Sequence, residues 1–199
     1  MTRFARLMPA IALAGALAGC AAQVGPVEVT RFHTEASAPL TRGTFLVAPA
    51  EGQTNSIELR TFSDAVAQEL VKAGYRENRP GQQGADQRVE VRLDRSVYQP
   101  GRQRSPVSVG VGGSTGSYGS GLGVGLGIDL SGPPPEQVQT RLEVTILDAR
   151  SGKHLWEGRA SFAVRSDSPM AQTSLGAAKM AQALFKDFPG RSGQTILVK

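Results

Sequence analysis

The residue best placed for chemistry lies near the start of the chain, where Leu17-Ala18-Gly19-Cys20 presents the sole cysteine behind two small residues. A thiol is a soft nucleophile able to take an acylglycerol group. Small side chains at Ala18 and Gly19 let the backbone before it enter a peptidase cleft. Upstream, Arg3 and Arg6 make a positive start, and Leu7 to Leu17 is an Ala/Leu-rich apolar run containing Pro9. A helix that spans a bilayer needs roughly 20 apolar residues, so a run of about eleven reads as a cleaved signal peptide and not as a transmembrane anchor. With a single cysteine no internal disulfide can form, so Cys20 needs another explanation; the plain alternative is a secretory signal with a chance cysteine at its end.

These four residues match the lipobox of bacterial lipoproteins at every position. Leu17, Ala18 and Gly19 are the expected signal-peptidase recognition residues, and Cys20 the lipidation site. Ala21 follows Cys20; an aspartate there retains enteric lipoproteins in the inner membrane, so Ala21 favours the outer one. One acyl chain holds a protein to a membrane only marginally, whereas the two or three of a mature lipoprotein anchor it stably. Residues 1–19 thus read as signal peptide and 20–26 as a lipidated tether. At about 3.3–3.6 Å per extended residue, that tether keeps the domain close to the lipid surface.

Other chemistry is sparse. Gly112-Gly-Ser114-Thr-Gly116 matches the spacing of a nucleophile elbow, but that motif needs a strand before it and a helix after it, and here the flanks are more Gly and Ser. His33 and His154 are the only histidines and lie far apart in sequence, so no metal site is expected. Trp156 reads as a core anchor. Asp86 and Asp148, at a loop end and in a turn, read as carboxylates that serve backbone geometry. Arg92, Arg95, Arg102 and Arg104 read as a solvated face balanced by Glu90 and Asp94. No catalytic residues and no cofactor, apart from the acyl lipid on Cys20, are expected. Setting Arg3 and Arg6 aside leaves 20 Lys+Arg against 17 Asp+Glu, a mild excess that argues against a nucleic-acid partner.

The elements that must carry these residues follow from periodicity. A chain of 199 residues, 40% hydrophobic and 20% charged, fits one globular domain, here assigned to 27–199. Val27 to Phe32 alternates as a strand, and Gly43 to Ala48, closed by Pro49, forms a second. A helix follows, with Asn55 and Glu58 in capping-box spacing and Leu59, Phe62, Val66 and Leu70 along one face. Gly74 supplies its left-handed stop, with Tyr75 folding back. Val89, Val91 and Leu93 alternate with charged residues, giving a strand with one wet face. Val138 to Leu147 and Trp156 to Val164 flank the turn at 148–153 as a hairpin. Ser168 and Pro169 open a second helix, with Met170, Ala177, Met180, Leu184 and Phe188 on its apolar side; Thr195 to Val198 can add a last strand. The fold class is α+β: a mainly antiparallel sheet with two helices packed on it, plus a Gly-rich loop or hairpin arm.

That last element belongs to an insertion, 107–135, rich in Gly and Pro. Ten glycines fall between Gly110 and Gly132. Glycine loses more freedom on ordering than any other residue, which fits a surface loop joining two strands. Yet Val107, Val109, Val111, Leu122, Val124, Leu126, Ile128 and Leu130 recur at every second position, which fits a ribbon with one apolar and one bare face. As an arm it would contact an envelope partner or a second copy through Val109, Val111, Leu122, Val124, Leu126 and Ile128. Contact with lipid is the sharper form, but insertion of an isolated hairpin would leave open edges.

Several motifs together resemble the family known as domain of unknown function 4136. They are Leu70-Val-Lys-Ala-Gly-Tyr75, then Ala85-Asp86 leading to Val89, then Asp148-Ala-Arg-Ser-Gly-Lys-His-Leu-Trp-Glu-Gly158, and Ala183-Leu-Phe-Lys-Asp-Phe-Pro189. They cover most of the chain after the lipobox in the family's order; Phe45-Leu-Val-Ala-Pro49 lacks the tryptophan the family often carries there. The resemblance implies a fold and a lipoprotein setting and brings no catalytic residues. The expected function is a lipid-anchored, periplasm-facing envelope lipoprotein, most naturally in the outer membrane, with a non-catalytic structural or accessory role. The alternatives are a binding module that regulates another envelope protein, and an enzyme acting on cell wall or lipid.

Overall fold

Alternation along the chain builds one sheet whose inward residues are almost all aliphatic. The structure, a computed structural model, describes residues 25–34, 43–78, 84–100, 107–116, 119–128 and 134–199, with 107–116 and 119–128 described in the backbone alone. Strands β1 (Val27–His33), β2 (Thr44–Pro49), β3 (Arg76–Glu77), β4 (Gln87–Tyr98), β7 (Gln137–Asp148), β8 (His154–Arg165) and β9 (Thr195–Val198) form a seven-stranded sheet in the order β3-β2-β4-β7-β8-β1-β9. Helices α1 (Ile57–Lys72) and α2 (Thr173–Phe185) pack on it, giving the α+β fold read from the sequence. The sheet is mixed. β2 runs parallel to β3 and β4 because α1 carries the chain across between them, while the other pairs are antiparallel.

Leu59, Phe62, Val66 and Leu70 of α1 are all buried, as their spacing requires. Each such side chain contributes about 1.5–3 kcal/mol on leaving water. The helix ends in a Schellman turn: Gly74 takes φ +100°, its N–H donates to Val71 O (3.0 Å), and Tyr75 N–H donates to Leu70 O (3.1 Å). Its start differs from the capping-box expectation. Ser56 is the cap, and its Oγ accepts the Leu59 N–H at 3.0 Å, because the helix begins one residue later than Asn55 would place it.

The second helix also starts later. Ser168 and Pro169 do open a turn, a 3-10 turn at Pro169–Ala171, but Gln172 then leaves helical geometry and α2 begins at Thr173. Arg95 holds the break, donating to Ala171 O and to Thr173 Oγ1. On β8 one residue is extra between the Ile146–Trp156 and Leu147–His154 pairs. That bulge lets the adjacent Leu155 and Trp156 both be buried.

Strand directions give the sheet two distinct ends. At the leader end, Val27 enters, β4 leaves at Tyr98, β7 enters at Gln137 opposite Arg165, and β9 finishes at Val198. At the far end lie His33, Gln87, Asp148 and His154. Between Tyr98 and Gln137 the chain forms a separate two-stranded antiparallel ribbon, β5 (Val107–Gly116) and β6 (Gly119–Ile128).

Candidate functional site

Polar and aromatic chemistry gathers at the far end, around the segment that follows α2. Alternation puts Arg31 on the same face as Val27 and Val29, and Arg31 is only 4% exposed. Its Nε donates to Leu184 O at 2.9 Å and its Nη2 to Ala183 O at 3.0 Å, so the guanidinium caps the last carbonyls of α2. A cation there is also favoured by the helix dipole. Burial lowers the pKa of Arg31, and the charge of Asp187 opposes that shift. The Arg31 carbonyl in turn accepts the Gly193 N–H at 2.8 Å.

Trp156, 1% exposed, stacks on Phe185 with ring centroids 5.4 Å apart and lies 5.3 Å from Phe188, which meets Tyr75 edge-on. The indole N–H donates to Pro189 O at 3.0 Å. Gly158 lets this cluster close. A Cβ there would sit 2.1 Å from the Trp156 ring and 2.8 Å from Leu184 Cδ1. Trp156 is therefore the core anchor its sequence context suggested. Burial pushes the Tyr75 phenol up to about 12, against a hydrogen bond with Gln87.

Beside this cluster is a surface concavity of about 330 Å³ lined by Phe32, His33, Thr34, His154, Leu155, Trp156, Glu157 and Ser192. It brings together the two histidines that lie far apart in sequence, because β1 and β8 are neighbours and His33 pairs with Trp156. His33 Nε2 donates to Gly190 O at 3.0 Å, and its backbone N–H donates to Ser192 Oγ, also at 3.0 Å. Phe32 stands 42% exposed at the rim. Among the described residues no cluster of three or more His, Cys, Asp or Glu comes together. What the surface offers is an aromatic and imidazole-lined dent able to bind a side chain or small apolar group.

Asp86 accepts from Thr44 N (2.8 Å) and Thr44 Oγ1 (2.9 Å), tying β2 to the start of β4. Those bonds, the backbone one first, hold its carboxyl below the usual range. Asp148 accepts from the Ser151 N–H and hydroxyl, both at 2.8 Å, closing the β7–β8 turn, and its pKa is lowered for the same reason. Both aspartates serve backbone geometry. Ser114 lies inside β5, opposite Gly121, and so lacks the strand-turn-helix setting of an elbow. Arg95 pairs with Glu58 of α1 and not with its strand neighbours, while Arg92 reaches Glu51 O at 3.0 Å. Sequence reading missed the buried role of Arg31; its parity with Val27 and Val29 was the available signal.

Leu17, Ala18, Gly19 and Cys20 lie outside the described residues. Of the proposed contact residues, Val109 pairs with Leu126 and Val111 with Val124, while Leu122 faces Gly113 and Ile128 faces Val107, so the register aligns the alternating aliphatic positions of the two strands.

Residues 31–190 match the family model described as Domain of unknown function (DUF4136). No curated protein matches the chain. Among solved structures, the chain is similar to a PDZ domain protein from Parabacteroides distasonis, at 13% identity and a TM-score of 0.50, over 87% of this chain and 39% of that one. The chain thus spans well under half of that protein, and the likeness concerns the fold. A PelC dodecamer from Paraburkholderia phytofirmans aligns at 12% identity and a TM-score of 0.45, over 83% of this chain and 99% of that one.

Proposed function

From the premise that this chain belongs to the family of Domain of unknown function DUF4136, we propose that it is a lipid-anchored envelope lipoprotein with a structural or accessory role. Acylated Cys20 holds the domain on the periplasmic face of the outer membrane, and the domain acts without catalysis. One observation carries the reading. Arg3 and Arg6, a short apolar run and Leu17-Ala18-Gly19-Cys20 stand directly ahead of a folded domain whose first strand begins at Val27. Ala21 supports the outer membrane over the inner. The test is fractionation of cells making the native chain or Cys20→Ala. The native chain is expected in the outer-membrane fraction and the variant away from it; equal partitioning of both overturns the reading.

The dent around Phe32, His33 and Trp156 favours a second reading, a module that binds another envelope protein at the end remote from the leader. Phe32→Asp would then lose one defined partner on pull-down while the protein stays in the membrane. An unchanged set of partners removes this reading.

A further inference from the structure

We propose that the leader end of the domain is a lipid-facing surface, with the β5–β6 ribbon lying in the headgroup layer of the bilayer that holds Cys20; this rests on the lipoprotein reading. Two independent observations meet at that end. The first is topological. β4 leaves for the ribbon at Tyr98 and β7 returns from it at Gln137, the two residues paired with each other, and Gln137 is paired in turn with Arg165. β1 enters from the same side.

Chain length then fixes how near the lipid must be. From Cys20 to Glu28 the chain spans at most about 27 Å when fully extended. Glu28 pairs with Ser161, and β8 runs about 13 Å further to Arg165. The bilayer therefore lies no more than about 14 Å beyond the end of the sheet. The links at 99–106 and 129–136 each allow about 30 Å of reach, so the ribbon is longer-armed than the gap is deep.

The second observation is where apolar side chains stay exposed. Among the described residues, Ile57, Val97, Tyr98, Leu175 and Leu197 are exposed within three residues of the leader-end terminus of their elements, against Phe32, Leu46 and Val71 toward the far end. Exposed apolar side chains that outnumber those at the opposite end make this end the better candidate for an interaction surface. The two links carry Arg102 and Arg104 against Asp129 and Glu136, so their charges balance. Attraction to lipid must then come from the ribbon's alternating aliphatic residues and from this rim, and it should not weaken with salt. The open strand edges of a lone ribbon can stay hydrated in the interfacial layer but not in the hydrocarbon core, which sets the depth.

The test uses the acylated protein, checked by intact mass, in vesicles of phosphatidylethanolamine and phosphatidylglycerol with or without brominated acyl chains. Tyr98→Trp and, separately, Val124→Trp place a reporter on the rim and on the ribbon. The native Trp156 lies buried near the opposite end and supplies the background. Both added tryptophans are expected to lose most of their emission to brominated lipid, at low and high salt alike, while Trp156 does not. Added tryptophans open to acrylamide and untouched by brominated lipid would overturn the proposal. Tryptophans shielded from both would also overturn it, since a second copy or another protein would then cover this end. A chain that carries no acyl mass would instead sink the lipoprotein reading itself.

Discussion

The two ends of the sheet solve opposite problems with the same strands. At the far end, groups that face inward are matched: Arg31 caps α2, the Trp156 N–H meets Pro189 O, and the rings of Phe185 and Phe188 pack on the indole, with Tyr75 edge-on to Phe188. At the leader end more large apolar side chains stay in the open (five, against Phe32, Leu46 and Val71 toward the far end), and among the described residues the strands of the ribbon pair only with each other. Packing that converges on one geometry indicates selection for a rigid scaffold. Apolar surface left uncovered is where contact with something outside the domain is proposed. The fold is thus more closely packed at one end and leaves more apolar surface open at the other.

The largest expected effect sharpens this contrast. Trp156→Ala at the far end should cost about 3–5 kcal/mol in denaturant unfolding, because it removes a fully buried ring and strands the Pro189 carbonyl. Tyr98→Ala at the leader end should cost far less. Equal losses would break the comparison. Gly158→Ala should cost about 2–3 kcal/mol by overpacking, since the new methyl meets the indole at 2.1 Å and neither the ring nor Leu184 has free space. Full stability of that variant would show the cluster to be looser than described.

Tyr75 gives a test in alkali. Its folded pKa of about 12 lies above the unfolded value near 10, so its contribution is complete below about pH 10 and is lost as pH rises toward 12, an effect on the order of 2 kcal/mol. Unfolding midpoints should fall along that limb, and Tyr75→Phe should flatten it. Asp86 titrates in the other direction. Its pKa is depressed by Thr44, so its contribution is present above about pH 4 and fades as pH falls through the lower folded value. Asp86→Asn should lower stability modestly at neutral pH and flatten the acid limb, as read by urea midpoints across pH. The smallest effect belongs to the ribbon. Val124→Ser should change stability by no more than about 0.5 kcal/mol, because β6 pairs only with β5. A larger loss by the same measurement would mean that the ribbon is part of the core.

Most of the scaffold was legible because burial and periodicity coincide in it. The α1 face at Leu59, Phe62, Val66 and Leu70, the Gly74–Tyr75 stop and the β7–β8 hairpin all follow from local spacing. What stayed hidden depends on contacts between distant segments. Asn55 looked like the cap, and only the path out of β2 makes it Ser56. Ser168 and Pro169 opened a turn as expected, yet α2 restarts at Thr173 because Arg95, far away in sequence, holds the break. The parallel placement of β2 beside β4 follows from the crossover through α1, which alternation within either strand does not encode. The meeting of His33 with His154 is likewise a product of the β1–β8 pairing. The proposed lipidation at Cys20, by contrast, rests on consecutive residues that lie outside the described ones, so only the sequence carries it.

The central claim is that this domain hangs from a lipid at Cys20, and the intact mass of the membrane-extracted protein tests it most directly. The account predicts loss of residues 1–19 and an added acylglycerol mass at Cys20, both abolished in Cys20→Ala. A mature chain that begins elsewhere and carries no lipid would contradict it, and the assignment of one end of the sheet to the membrane would fall with it.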